Sequence, residues 1–112
     1  MLSDQRGNAR VSIFSGGDLY RTLDGERISR ALLKDISPTG LRVETLEALT
    51  TGEQVFIDFQ VGGSHVFSRV PVRVERVQPH AGSFLSGLSF QREDVRHRVR
   101  QALAKLFESG GK

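Results

Sequence analysis

Two arginines near the start of the chain have a spacing that suits one anionic ligand. Arg6 and Arg10 are four residues apart in a segment that also contains Gly7 and Asn8. A guanidinium group donates several hydrogen bonds in one plane, so it can pair with two phosphate oxygens or with the O6/N7 edge of guanine. Solvated charge near a terminus is the plainer interpretation of the pair taken alone. A second motif in the chain favours the interpretation of the pair as a ligand-binding site.

That second motif is the hexapeptide Asp35-Ile36-Ser37-Pro38-Thr39-Gly40. The Asp35 carboxylate only accepts hydrogen bonds, and the Watson–Crick edge of guanine offers two adjacent donors, N1–H and N2–H. Ser37 adds a small hydroxyl, Pro38 presets a turn, and Gly40 can take a positive φ while leaving room for a planar base. A turn that only caps the strand end is the alternative. Together the two motifs predict a guanine-nucleotide site whose binding residues are Arg6, Arg10, Asp35, Ser37 and Gly40.

The order and spacing of the two motifs resemble the signature of the PilZ domain family. Arg-x-x-x-Arg is followed by Asp-x-Ser-x-x-Gly, and Asp35 comes 25 residues after Arg10. The resemblance implies a small β-barrel with a C-terminal helix that acts as a bacterial receptor for cyclic di-GMP. It also implies that the arginines hold phosphate and guanine while the second motif holds a base against the barrel. Many members carry a further Arg where this chain has Gln5, and we include Gln5 and Asn8 as possible additional contacts.

Composition limits the chain to one small domain. The 112 residues suffice for a single core, and they include no Cys, so disulfides and thiolate metal sites are excluded. No stretch has the roughly 18 apolar residues of a membrane helix, and the N-terminus lacks a signal-peptide core, so we expect a cytoplasmic protein. The three His residues show no metal-ligand spacing and no catalytic arrangement. We therefore expect no enzyme activity, no metal and no cofactor, only a ligand.

The hydrophobic pattern divides the chain into an arm and a barrel. Residues 1–10 are mostly polar and are predicted to form a flexible arm that carries the Arg pair, followed by a domain over residues 11–112. Alternation from Val11 predicts a first short strand, the pair Gly16-Gly17 a turn or bulge, and Leu19–Leu23 a second short strand. Asp24-Gly25 predicts a two-residue hairpin turn before a longer strand that delivers Asp35 to its end. The strand pattern resumes at Leu41, so the hexapeptide is predicted to be a loop between two strands.

The rest of the chain continues the strand pattern and then changes period. Val55–Val61 and Val66–Val77 alternate, Phe84–Phe90 follows, and from Glu93 the apolar residues follow a helical period to about residue 107. We therefore predict a mostly β fold, a small six-stranded antiparallel β-barrel with a C-terminal α-helix packed across it.

Outward arginines supply further positive charge. Arg69, Arg73 and Arg76 are predicted to face outward, and one of them could reach a ligand phosphate. The helical run that contains Arg96, Arg98 and Arg100 is predicted to be a solvated face.

Three functions are compatible with this sequence. The first is a cyclic di-GMP receptor whose arm changes conformation to regulate an unidentified protein partner in a motility, biofilm or pilus type process. The second is a PilZ-fold protein-interaction adaptor with weak or no nucleotide binding. The third, a barrel that binds RNA or single-stranded DNA, needs exposed aromatic residues that the pattern does not supply. We expect no nucleic-acid polymer and no membrane insertion, and either a monomer or a homodimer.

Overall fold

A computed structural model describes residues 11–110, apart from the side chains of Phe14 and of residues 108–110. The predicted arm, residues 1–10, lies outside the described residues. The elements are β1 (Val11–Tyr20), β2 (Arg27–Ser37), β3 (Gly40–Thr45), β4 (Gln54–Val61), β5 (His65–His80), β6 (Ser83–Phe90) and α1 (Glu93–Gly110).

The strands form a closed antiparallel barrel in the order β1-β2-β3-β6-β5-β4. Most neighbouring strands pair along much of their length, but β1 meets β4 only where Asp18–Tyr20 lie opposite 56–58. Among the described residues, the first seven of β1, from Val11 to Gly17, pair with β2 and with no other strand. The predicted six-stranded barrel with a C-terminal helix is confirmed.

The start of the chain differs from the prediction in that β1 is one long strand. Gly16 and Gly17 lie inside it and pair with β2, so they do not form a turn between two short strands. A Cβ on Gly17 would lie 2.6 Å from the carbonyl oxygen of Asp58, so glycine is needed there because β4 approaches closely. The connection to β2 covers residues 21–26, in which Gly25 N–H donates to the Thr22 carbonyl at 3.3 Å. This longer loop replaces the predicted two-residue turn.

The core of the barrel is built from the inward side chains of all six strands. Leu33, Ile57 and Val72 are fully buried, as their alternation with polar residues predicts. Phe59 stacks on Phe67 with ring centroids 4.6 Å apart. Aromatic pairs of this kind add stability beyond their buried area, so they hold β4 against β5 near the helix.

The helix packs against β4 and β6 through the predicted apolar stripe, in which Val95 and Val99 are buried. Arg96 turns back and donates to the carbonyl of Phe90 at 2.8 Å, and the Arg98 guanidinium lies 4.4 Å from the centroid of the Phe67 ring. Two arginines of the basic run thus fasten the helix to the barrel. Among the described residues, no helix is both long and apolar enough to cross a bilayer.

Candidate functional site

The hexapeptide at residues 35–40 lies at the connection between β2 and β3. Asp35 and Ser37 belong to the end of β2, Gly40 opens β3, and only Pro38 and Thr39 form the turn. The prediction that the whole hexapeptide is a loop is therefore wrong. The reason is that the ladder continues to the Ser37–Gly40 pair, which leaves a two-residue turn.

A β-bulge in β2 decides which way the site residues face. Leu33 lies opposite Val43, but the next pair is Asp35 with Arg42, so Lys34 is an extra residue in β2. Since Leu33 and Ile36 are both fully buried in the core, the bulge turns Asp35 and Ser37 away from the core to the outer side of the barrel, where both residues are still buried. Two of the predicted site residues consequently share one face of one strand.

Asp35 is held by Arg42, which is not among the predicted site residues. Arg42 Nε donates to Asp35 Oδ2 at 2.8 Å, across the β2–β3 pair. Only 9% of the Asp35 side chain is exposed, whereas 54% of the Arg42 side chain is exposed. The carboxylate is therefore fixed in orientation by a group that itself remains accessible. Alternation with Leu41 and Val43 does predict an outward Arg42, but its partner depends on the bulge.

Ser37 shapes the turn as well as facing outward. Its Oγ accepts a hydrogen bond from the backbone N–H of Thr39 at 3.2 Å and lies 3.0 Å from Thr39 Oγ1. This is the strand-capping serine turn that was the alternative interpretation of the motif. The same contact fixes the hydroxyl beside Asp35, so it is compatible with a binding role.

Gly40 is required by packing and not by its dihedral angle. Its φ is not positive, so the predicted left-handed conformation is absent at this residue. A Cβ on Gly40 would overlap the carbonyl oxygen of Leu88 and would lie 3.2 Å from the Cα of Ser89. The glycine lets β6 approach β3 closely beside the turn.

The start of β1 also lies at this end of the barrel. Val11 is opposite Ile36, and Ser12 is opposite Asp35. The remaining predicted site residues, which are Gln5, Arg6, Asn8 and Arg10, lie outside the described residues. The structure thus brings Asp35, Ser37 and Gly40 together and leaves the Arg pair untested.

A groove continues the outer surface beyond Arg42. Arg42 lies opposite Gly87 of β6, and Gly87 lies opposite Arg76 of β5. The groove has a volume of about 440 Å³, and Arg42, Glu75, Arg76 and Gly87 are among the residues that line it. Over residues 11–110, no three His, Cys, Asp or Glu side chains are grouped in a way that could hold a metal ion.

Solved structures with the same fold include a PilZ domain and two longer bacterial proteins. The PilZ domain of YcgR from Escherichia coli, solved with c-di-GMP, is 16% identical with a TM-score of 0.65, and the match covers 94% of this chain and 96% of that one. YcgR from Escherichia coli in complex with c-di-GMP is 17% identical with a TM-score of 0.72, covering 92% of this chain and 46% of that chain. MotI/DgrA, an inhibitor of motility from Bacillus subtilis, is 16% identical with a TM-score of 0.65, covering 90% and 51%.

These similarities concern the fold, and the chain spans only about half the length of the last two proteins. No curated protein sequence matches the chain. The sequence profile of the PilZ domain, in contrast, matches residues 4–109, from the Arg pair through the barrel to the end of the helix. The chain therefore belongs to the PilZ domain family.

Proposed function

We propose that this chain is a receptor for cyclic di-GMP. The observation that carries the proposal is the outer face of β2, where Asp35 and Ser37 lie side by side next to Gly40. Membership of the PilZ family supports it, as do the solved complexes of YcgR and of its PilZ domain with c-di-GMP, which share the fold. The ligand is a dianion with two guanine bases.

In this proposal Asp35 recognises guanine. Its carboxylate accepts the N1–H and N2–H hydrogen bonds of one base, while adenine presents a lone pair at N1 and would be repelled. Arg42 Nε–H already donates to Asp35 Oδ2 and so occupies an oxygen that the base would use. Binding then requires Arg42 to shift or to share that oxygen, and its exposed side chain has room to do so.

The Arg pair supplies the phosphate contacts. Because Val11 is opposite Ile36, the chain that precedes β1 departs from the same end of the barrel as Asp35. We place Arg6 and Arg10 over the phosphates and the O6/N7 edge of guanine, with Gln5 and Asn8 as additional contacts. A lost charge-assisted contact is worth about 1.5–3 kcal/mol, so either Arg→Ala change should weaken binding about 10–100-fold.

The test is a calorimetric titration with cyclic di-GMP. Arg10→Ala is compared with Arg100→Ala, which removes the same charge from an exposed helix position. We expect saturable binding that Arg10→Ala weakens and Arg100→Ala leaves unchanged. Absence of binding by the unmodified chain would refute the receptor function and favour the adaptor function instead. Recovery of intact ligand after long incubation would agree with a receptor that is not an enzyme.

The output of the receptor is an ordered arm that a protein partner recognises. Residues 1–10 have too little apolar content to pack by themselves, so ligand contacts must supply the free energy that orders them. Amides of 7–9 should exchange fast without cyclic di-GMP and become protected with it, while those of Val55–Val61 stay protected in both states. Equal exchange of 7–9 in both states at saturating ligand would exclude the arm as a clamp.

A further inference from the structure

We infer that the nucleotide site continues past Asp35 and Arg42 into the groove over Gly87, and that Arg76 stacks on a purine base there. This inference rests on the proposed function and adds a second base-binding position to it. Three observations support it. They are the register of four strands, the open space above Gly87, and the contacts of the three outward arginines of β5.

The register puts the relevant residues in one row across the barrel. Asp35 is paired with Arg42, Arg42 with Gly87, and Gly87 with Arg76. Neighbouring strands are about 4.8 Å apart, so the row from β2 to β5 spans about 14 Å. A ligand with two bases is long enough to contact more than one strand of such a row.

Two separate bulges create this row. Lys34 is the extra residue that turns Asp35 outward, and Glu75 is the extra residue between Val74 and Arg76 in β5. Val74 is fully buried, and without the bulge Arg76 would follow it into the core two residues later. Bulges often redirect side chains next to binding sites. Here both of them direct a charged residue to the same stripe of the outer surface.

Gly87 leaves the floor of the groove bare. A Cβ placed on Gly87 meets a single neighbouring atom within 4 Å, the Cβ of Arg76 at 4.0 Å. Packing therefore does not require glycine at this residue, in contrast to Gly40. The bare backbone between the Arg42 and Arg76 side chains is a surface on which a planar base can lie.

Arg76 is distinguished from the two other outward arginines of β5 by its contacts. Arg69 is already in use, since its guanidinium lies 3.3 Å from the centroid of the Tyr20 ring and its Nη1–H donates to the carbonyl of Leu23. Arg73 does not line the groove. Within residues 11–110, the Arg76 side chain makes no hydrogen bond and no ion pair. Its exposed guanidinium is therefore available for a ligand.

The chemistry of the groove suits a purine next to a phosphate. A guanidinium plane stacks on aromatic rings and also forks onto phosphate oxygens or onto O6 and N7 of guanine. Glu75, which accepts a hydrogen bond from Ser89 Oγ at 2.6 Å, adds a fixed acceptor at the rim. We assign the groove to one guanine of cyclic di-GMP, with Asp35 reading the edge of the other.

Calorimetry with cyclic di-GMP tests the assignment through four variants. Stacking on one base is worth about 1–3 kcal/mol, so Arg76→Ala should weaken binding about tenfold. Arg76→Lys should weaken it nearly as much, because lysine keeps the charge but has no plane to stack. Gly87→Val should fill the groove and weaken binding, while Gly87→Ala, which adds one methyl group in open space, should have a much smaller effect.

Stability measurements separate these effects from unfolding. Valine favours strands and the space above Gly87 is open, so Gly87→Val should unfold at the same or a higher temperature while it loses affinity. Arg100→Ala controls for the loss of one charge and should bind normally. If Arg76→Ala and Gly87→Val bind like the unmodified chain while Arg10→Ala does not, the groove assignment falls and the receptor function stands. If Arg76→Lys binds with full affinity, Arg76 does not stack on a base. If the unmodified chain does not bind cyclic di-GMP, both the receptor function and the groove assignment are refuted.

Discussion

Replacing Gly40 by Ala should destabilise the barrel, although a Gly→Ala change in an ordinary backbone conformation usually stabilises a protein by about 0.4–1 kcal/mol. The added methyl group would overlap the Leu88 carbonyl oxygen and lie 3.1 Å from the Leu88 carbonyl carbon. Both atoms are backbone, so no side-chain rotation can relieve the contact. The β3 strand must move away from β6 at the turn.

The cost follows from what that movement breaks. Inserting a methylene-sized group into a packed region costs about 1–3 kcal/mol. The neighbouring hydrogen bond from Phe90 N–H to the Thr39 carbonyl, 2.9 Å long, would be strained or lost. A typical bond of this kind contributes about 0.5–1.5 kcal/mol. The free energy of unfolding should therefore fall by about 2–4 kcal/mol, which lowers the melting temperature of a domain of this size by about 10–20 °C.

Thermal and urea unfolding of Gly40→Ala and Gly87→Ala provide the comparison. Both changes add the same methyl group to a strand on the outer face, but the nearest atom to a Cβ on Gly87 is 4.0 Å away. Gly87→Ala should be neutral or slightly stabilising. Equal stability of the two variants would refute the packing explanation of Gly40. It would leave the glycine with no role except room for the ligand.

Three further predictions concern single side chains. Asp35→Ala should reduce the preference for cyclic di-GMP over cyclic di-AMP in a competition titration, and equal binding of both ligands by the unmodified chain would remove Asp35 from base recognition. The hydrogen bond from Ser83 holds the pKa of Glu44 below its ordinary value, so the resulting stability is present above the ordinary pKa of a glutamate and is lost as pH falls through the lowered one. The free energy of unfolding should therefore change less with pH over that range for Ser83→Ala than for the unmodified chain. Ser86→Ala should stabilise the barrel by about 1 kcal/mol in urea unfolding, because among the described residues the buried Ser86 hydroxyl has no hydrogen-bond partner; a loss of stability there would indicate a partner.

The alternation of apolar and polar residues predicted the barrel strands well, because the face on which a strand residue lies depends on its neighbours in the sequence. Val55–Val61 and the inward Val72 and Val74 follow the two-residue period that one buried face imposes. Gly16-Gly17 shows where such local reasoning fails. A glycine pair is a turn signal, but in β1 glycine is needed at Gly17 because the carbonyl of the distant Asp58 lies close to it. That approach is a property of the closed barrel, and no local pattern predicts it.

The candidate site was predictable in residue type but not in geometry. Asp35 and Ser37 could be selected because their chemistry and spacing are visible in the sequence. The direction in which they face depends on one extra residue, Lys34, and the partnership with Arg42 depends on the register that this residue sets. Arg76 was predicted to face outward, but regular alternation after Val74 would turn it inward, so its direction depends on the extra residue Glu75. Its position opposite Gly87 depends on pairing between distant strands. Such pairings follow from the whole barrel and not from a motif.

The uneven pairing of β1 has a mechanical consequence. Within the described part of the chain, Val11 to Gly17 are bonded to β2 alone, while Asp18–Tyr20 are bonded to β2 on one side and to β4 on the other. A force that pulls on the chain ahead of Val11 would peel β1 from β2 one residue pair at a time. The peeling would meet its first strong resistance at Asp18, where both neighbouring strands hold the chain. Strand β1 thus has a compliant end, which contains Ser12 opposite Asp35, and a stiff end, where its pairing with β4 closes the barrel.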